Sequence, residues 1–188
     1  MERIIQVDWA ATAAINGLNA PWTDAVMLLV SRVYVWVPLY LAVVAFYFWK
    51  MPWKRALAAV LVLIAAFALT DTSTHFFKDQ VFCRLRPCRD PRLADIIRPY
   101  QEMVDGIGSQ CGFPSGHAAN TFGFAIVTSW LSKRRWWTAG IFSWSAIISY
   151  SRIYLGKHFL GDVLCGWVYA AAVSALAILL LRWLFKKL

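Results

Sequence analysis

Charge is what this chain has least of. Asp, Glu, Lys and Arg make up 15% of its 188 residues, where a water-soluble domain carries about a quarter. Acids are the scarcer sign, 10 against 19 bases. With a mean hydropathy of +0.55, that shortage excludes an ordinary soluble domain and marks an integral membrane protein. No secretory leader is expected either. Met1-Glu2-Arg3 runs into "IIQVDWAATAAINGL", which is amphipathic and too polar for a leader's apolar core, so the first true span serves as the targeting signal. No internal repeat, low-complexity run or flexible linker breaks the chain, and 1–188 reads as one membrane-embedded domain. The net charge of +9 would suggest nucleic acid in a soluble protein. Here the bases flank apolar segments, so nucleic acid is not expected as a partner.

What is abundant is apolar length. A crossing helix needs about 20 mostly apolar residues, and five segments qualify or come close: 33–49, 55–77, 114–131, 136–151 and 162–183. Residues 4–31 are ambiguous. They read as an interfacial helix followed by a short half-span, or as a sixth crossing, with Pro21 suited to the first turn of a new helix. The expected fold is all-α: a polytopic bundle of five or six transmembrane helices with an N-terminal interfacial helix. Lys50, Lys54 and Arg55, then Lys133, Arg134 and Arg135, then Arg182, Lys186 and Lys187 fall on one side by alternation. They have almost no acids among them, which makes that side cytoplasmic. The long connection 78–113, which also holds Asp79, Asp90, Asp95, Glu102 and Asp105, and the turn "SRIYLGKHFLGD" (151–162) then face outward.

Three polar clusters share that outward face. "KDQVFCRLRP" supplies Lys78, Arg84 and Arg86. "GFPSGHAAN" puts Pro114 and Ser115 at a helix start. Ser115 there suits an ordinary N-cap, but free amides and the positive dipole end at that place also bind phosphate. Gly116 allows an anion close to the backbone, and His117 follows. In the third cluster His158 and Asp162 stand four apart, on one face of a helix. An Asp carboxylate taking a proton from one imidazole nitrogen leaves the other free as a base or nucleophile; a capped helix start is the plainer alternative. Cations and amides suit a transferring phosphoryl group. Two His and one Asp could make a zinc site, but three fixed cations nearby would repel a metal and only one carboxylate is at hand, so no metal and no other cofactor is expected.

"PSGH", and "SR" followed by His158 and Asp162, resemble motifs two and three of the type 2 phosphatidic acid phosphatase superfamily, a pattern that vanadium haloperoxidases share. "K…RP" upstream resembles motif one. The resemblance covers residues from about 55 to 180. It implies that His158 is the nucleophile forming a phosphohistidine and that Asp162 orients and polarises it. It implies further that His117 is the general acid and then the base for water, and that Lys78, Arg86, Ser115, Gly116 and Arg152 bind the phosphate. One departure stands out: seven residues separate Lys78 from Arg86 where the family pattern has six. A bulge at the helix end would absorb the extra residue; otherwise Arg84 would replace a contact.

The resemblance implies a lipid phosphate or diphosphate phosphatase acting on the outer leaflet of a bacterial inner membrane, multi-pass, with its site facing the periplasm. Undecaprenyl diphosphate is the first expectation. Lipid A 1-phosphate, phosphatidylglycerophosphate and phosphatidic acid are alternatives, and a small anion transporter is the non-enzyme reading. The charges cluster at one surface and not at the midplane, where transporters place their sites. Lipid phosphate and membrane lipids are the expected partners, and the oligomeric state is open. Asp71, His75 and Lys78 share one helix face, either as a structural bond to a neighbouring helix or as support beneath Lys78. Of the four cysteines, Cys83, Cys88 and Cys111 face outward. If that side is an oxidising periplasm, Cys88–Cys111 is the expected disulfide, because it would pin the first motif to the second; three free thiols are the alternative.

Overall fold

The computed structural model describes residues 2–100 and 109–188; Glu102 and Asp105 lie outside the described residues. Among those residues the chain forms seven α-helices: α1 (Glu2–Asn16), α2 (Pro21–Val30), α3 (Val37–Lys50), α4 (Trp53–Phe76), α5 (Gly116–Ser132), α6 (Arg135–Tyr154) and α7 (Leu160–Lys187). A 3-10 turn at Val33–Trp36 leads into α3, and two more at Pro87–Arg89 and Pro91–Leu93 shape the long connection. The architecture is the all-α, polytopic membrane bundle that composition implies.

Three stretches are long and apolar enough on their own to cross a membrane: Val33–Lys50, Trp53–Val81 and Leu160–Lys187. The other two expected crossings form helices of a different kind. α5 has 17 residues, about 26 Å at 1.5 Å per residue. α6 has 20 residues and carries Ser149, Ser151 and Arg152 on its buried side. Both pack against other helices and bury their polar groups inside the bundle, so neither needs an unbroken apolar run. The ambiguous 4–31 segment resolves into two helices, α1 and the 10-residue α2, of which α2 is too short to cross.

Close approach is set by small residues. Ala56, Ala59, Ala118, Ala119 and Ala125 are fully buried at the helix contacts, as expected where lipid supplies no hydrophobic drive between helices and packing must do so. Gly166 is the tightest point: a methyl there would stand 2.8 Å from the Ser115 carbonyl oxygen. That lets α7 run directly against the start of α5. Large apolar side chains point the other way, towards lipid, among them Leu61, Ile64, Val168, Leu176 and Leu179.

Polar ties gather at one end of the bundle, here the site end. α6 stops at Gly156, whose φ of +67° favours glycine and is the usual stop signal just past a helix. Asn16 of α1 donates to the Tyr154 carbonyl at 2.7 Å and accepts from the Arg98 amide at 2.8 Å. α1 thereby lies across the ends of α6 and α7.

Candidate active site

Lys78 is where the extra residue of the first motif is absorbed. α4 widens at its end into a π turn over Phe77–Val81, with the Phe82 amide bonded to the Phe77 carbonyl at 2.9 Å. A π turn carries one more residue than the α-helical turn it replaces. Lys78 is thus turned inward and buried against the start of α5. Asp71, one face below, takes a hydrogen bond from Asn120 of α5 at 3.4 Å. His75 is more than half exposed and bonds back to Asp71, so it does not sit beneath Lys78. The structural reading of that pair holds.

Ser115 is the N-cap of α5: its Oγ accepts from the Ala118 amide at 3.4 Å, and its own amide donates to the Asp162 carbonyl at 3.0 Å. Both groups are committed to the fold, so an anion arriving here meets the amides of Gly116 and His117. Gly116 is cramped, with Thr74 Oγ1 3.0 Å and Lys78 Nζ 3.6 Å from where a β-carbon would stand.

Arg86 reaches the same space from the connection. Residues 84–86 pair with 110–112, with the Arg86 amide on Gln110 O at 3.1 Å and the Gly112 amide on Arg84 O at 2.7 Å. The guanidinium donates to Ser109 O at 3.0 Å and Lys157 O at 3.2 Å, and its Nη1 lies 3.3 Å from His158 Nε2. A guanidinium has no acceptor, so Nε2 is the lone-pair nitrogen and the imidazole proton sits on Nδ1. Nδ1 faces Asp162 Oδ2 at 3.6 Å, longer than a hydrogen bond. This corrects the expected direct bond: Oδ2 accepts instead from the Phe159 amide at 3.0 Å, and Oδ1 from Arg84 at 2.9 Å. Catalytic contacts are often long before substrate arrives.

Burial, and then the charges of Arg86, Arg152 and Lys78, hold the His158 pKa well below the usual imidazole value. Burial likewise lowers Lys157 to about 7, with Arg152 and Arg86 adding to it. Arg152 is buried and donates to Ser31 Oγ; its Nε has no hydrogen-bond partner among the described residues. His117, half-buried at the start of α5, lies in the field of Arg152, Lys157, Lys78 and Arg86. The structure therefore gathers Lys78, Arg86, Gly116, His117, Arg152, His158 and Asp162 at one end. Ser115 is there as the cap, and Arg84 turns away to Asp8 and Asp162.

Three participants went unselected in the sequence. Lys157 has only its place beside His158 to mark it. Ser31 and Asp8 have no local signal, since they reach the site from the N-terminal helices. The expected disulfide is corrected too. Cys111 pairs with Cys83, across a Cα–Cα distance of 5.1 Å, and Cys88 is free. The antiparallel bridge between Leu85 and Cys111 draws the chain before the arginines to Cys111. Cys88 has already turned away, its amide bonded to Gly156 O at 2.9 Å.

Comparison with known proteins identifies the family of the chain. The profile of the PAP2 superfamily matches residues 55–186. A lipid A 4'-phosphatase from Porphyromonas gingivalis is 36% identical over 168 residues, which is 88% of this chain and 69% of that protein. An undecaprenyl-diphosphatase from Sulfolobus acidocaldarius is 27% identical over 176 residues, 92% of this chain and 73% of that protein. Among solved structures, a transmembrane PAP2-type phosphatidylglycerolphosphate phosphatase from Bacillus subtilis superposes with a TM-score of 0.68 at 21% identity. It covers 100% of this chain and 89% of that one, a likeness of fold.

Proposed function

The chain belongs to the PAP2 superfamily, and from that premise we propose that it removes a phosphate from lipid A, the 4'-phosphate first, through a phosphohistidine on His158. It is a membrane lipid phosphatase. Undecaprenyl diphosphate, the first expectation from sequence, gives way here to lipid A, with the 4'-phosphate in place of the 1-phosphate of the sequence alternative, which the higher identity to the lipid A 4'-phosphatase supports.

The observation that carries the mechanism is the 3.3 Å contact of His158 Nε2 with Arg86 Nη1, which assigns the lone pair to Nε2 and turns it to the site's cations. In the proposed reaction Nε2 attacks phosphorus, the P–O bond to the lipid breaks, and the leaving oxygen takes a proton from His117. His117 then takes a proton from water, whose oxygen displaces Nε2 and releases inorganic phosphate. Lys78, Arg86, Arg152 and the amides of Gly116 and His117 balance the charge that grows on the phosphoryl oxygens.

A lipid substrate is supported by an apolar cavity of about 350 Å³ between α3, α4, α5 and α7, lined by Tyr40, Val60, Phe67, Thr70, Asn120 and Phe124 among others. Thr70 and Asn120 are one turn from Thr74 and Gly116, so the cavity begins directly below the phosphate space. Residues 1–188 act as one domain in this proposal, with the active site on the face opposite the Lys- and Arg-rich turns, outside the membrane.

The test is phosphate release by the detergent-purified protein on lipid A, undecaprenyl diphosphate, phosphatidylglycerophosphate and phosphatidic acid, with products read by mass spectrometry. Loss of the 4'-phosphate from lipid A, faster than release from the others, is expected. Preference for undecaprenyl diphosphate would overturn the substrate assignment.

A further inference from the structure

We propose that Asp8 and Arg84 are positioning residues for the reaction: α1 fixes the carboxylate of Asp162 against His158 through the guanidinium of Arg84. The inference rests on the phosphatase reading and adds to it two groups that touch no substrate, one of them outside the matched residues 55–186.

The chain of contacts is continuous. Asp8 Oδ2 accepts from Arg84 Nη2 at 2.6 Å, and Arg84 Nη1 donates to Asp162 Oδ1 at 2.9 Å. The guanidinium lies 3.8 Å from the centre of the Phe159 ring, which fixes its plane. Both ends of its fork are committed to carboxylates, so it is not a phosphate ligand. Asp162 is fully buried, and the Arg84 and Asp8 side chains are 22% and 13% exposed. At such depth a charge-assisted pair is held far better than on a surface.

α1 has a second grip on the same place. The Gly161 amide donates to Asp8 Oδ1 at 2.8 Å, and the Leu160 amide to Thr12 Oγ1 at 3.2 Å. Gly161 is needed for this approach, because a methyl there would stand 3.0 Å from Asp8 Oδ2. Asp162 is thereby left with one oxygen on Arg84 and the other turned to the Phe159 amide and His158 Nδ1. Without Asp8, Arg84 can follow Asp162 or leave it, and the carboxylate loses its set orientation to the imidazole.

A purely structural role for Asp8, as a cap on α7, is separated by a double-mutant comparison on the full-length protein. Asp8→Asn keeps an oxygen for the Gly161 amide but loses the charge that faces Arg84. It is expected to lower kcat about 10- to 100-fold, the range expected when a reacting group is misplaced, with KM within about twofold. Arg84→Gln is expected to match it, and Arg84→Lys to recover part of the loss. In an Asp162→Asn background, single-turnover rates should change less than about twofold on adding Asp8→Asn, because the link has lost its endpoint. The same fold-loss in both backgrounds, or an unchanged kcat in Asp8→Asn, would overturn the proposal. If Asp8→Asn does not fold, Arg84→Gln carries the same comparison. No turnover of any lipid phosphate by the unsubstituted protein would instead overturn the phosphatase reading, and this proposal with it.

Discussion

Lys78 and Gly116 face each other across the gap between α4 and α5: a methyl on Gly116 would stand 3.6 Å from Lys78 Nζ and 3.0 Å from Thr74 Oγ1. The space is large enough for an anion's oxygen to meet the helix amides and too small for a side chain as well. Gly116→Ala is therefore expected to raise KM and lower kcat/KM by about tenfold or more, a loss of about 1.4 kcal/mol in transition-state stabilisation. The crowding against Thr74 Oγ1 should also lower the melting temperature somewhat, so the two proteins are compared at a temperature where both are folded. Steady-state kinetics with a melting curve decide it, and unchanged kcat/KM would mean that phosphate does not bind at the start of α5.

Stability should fall in mild acid because of His158. Its folded pKa is held well below 6.5, by burial first and then by Arg86, Arg152 and Lys78. The unfolded chain takes up a proton near 6.5 where the folded one does not. The stabilisation is thus complete above that pH and is lost as the pH falls towards the folded value, by at most about 1.4 kcal/mol per pH unit. Melting temperatures in detergent between about pH 7 and pH 5 should fall more steeply for the natural protein than for His158→Gln. Parallel curves would contradict the assignment of the buried neutral imidazole.

The cysteine pairing is open to direct mapping. A non-reducing digest of protein from its native membrane should yield a peptide joining Cys83 to Cys111, with Cys88 alkylated. The bond closes a span of 28 residues, worth roughly 3–4 kcal/mol by loop entropy, so Cys83→Ser should melt earlier. A Cys88–Cys111 peptide would contradict the structure.

Activity should persist in chelator. Lys78, Arg86 and Arg152 supply the positive charge that a metal would otherwise bring to the phosphoryl oxygens. Vanadate should inhibit in competition with the lipid, because its trigonal bipyramid resembles the transferring phosphoryl group and such mimics bind tightly. Loss of turnover in EDTA, restored by zinc or magnesium, would sink this.

Much of the site was legible because three of its motifs are local. Lys78 and Arg86, Ser115 to His117, and Arg152 to Asp162 each lie within a dozen residues. Even the π turn follows from one extra residue between Lys78 and Arg86. What stayed hidden is long-range. Nothing around Asp8 or Ser31 announces that their helices fold back onto Arg84 and Arg152. The "K…RP" resemblance singled out Arg86 over Arg84, but only the pairing of residues 84–86 with 110–112 shows Arg84 turned to Asp162 and Arg86 to His158. The same pairing decides the disulfide. α5 and α6 read as ordinary spans in sequence, yet their polar side chains are tolerated because they face other helices.

The most direct test of the account is to trap the phosphoenzyme. Protein quenched during turnover of labelled lipid phosphate, kept alkaline because phosphohistidine is acid-labile, should carry the label on the peptide that contains His158. The label should be absent from His158→Ala. In His117→Ala it should form only from substrates with good leaving groups and persist longer, since the group that protonates the lipid oxygen and then activates water is missing. Label on any other residue, or near-normal turnover by His158→Ala, would contradict the account.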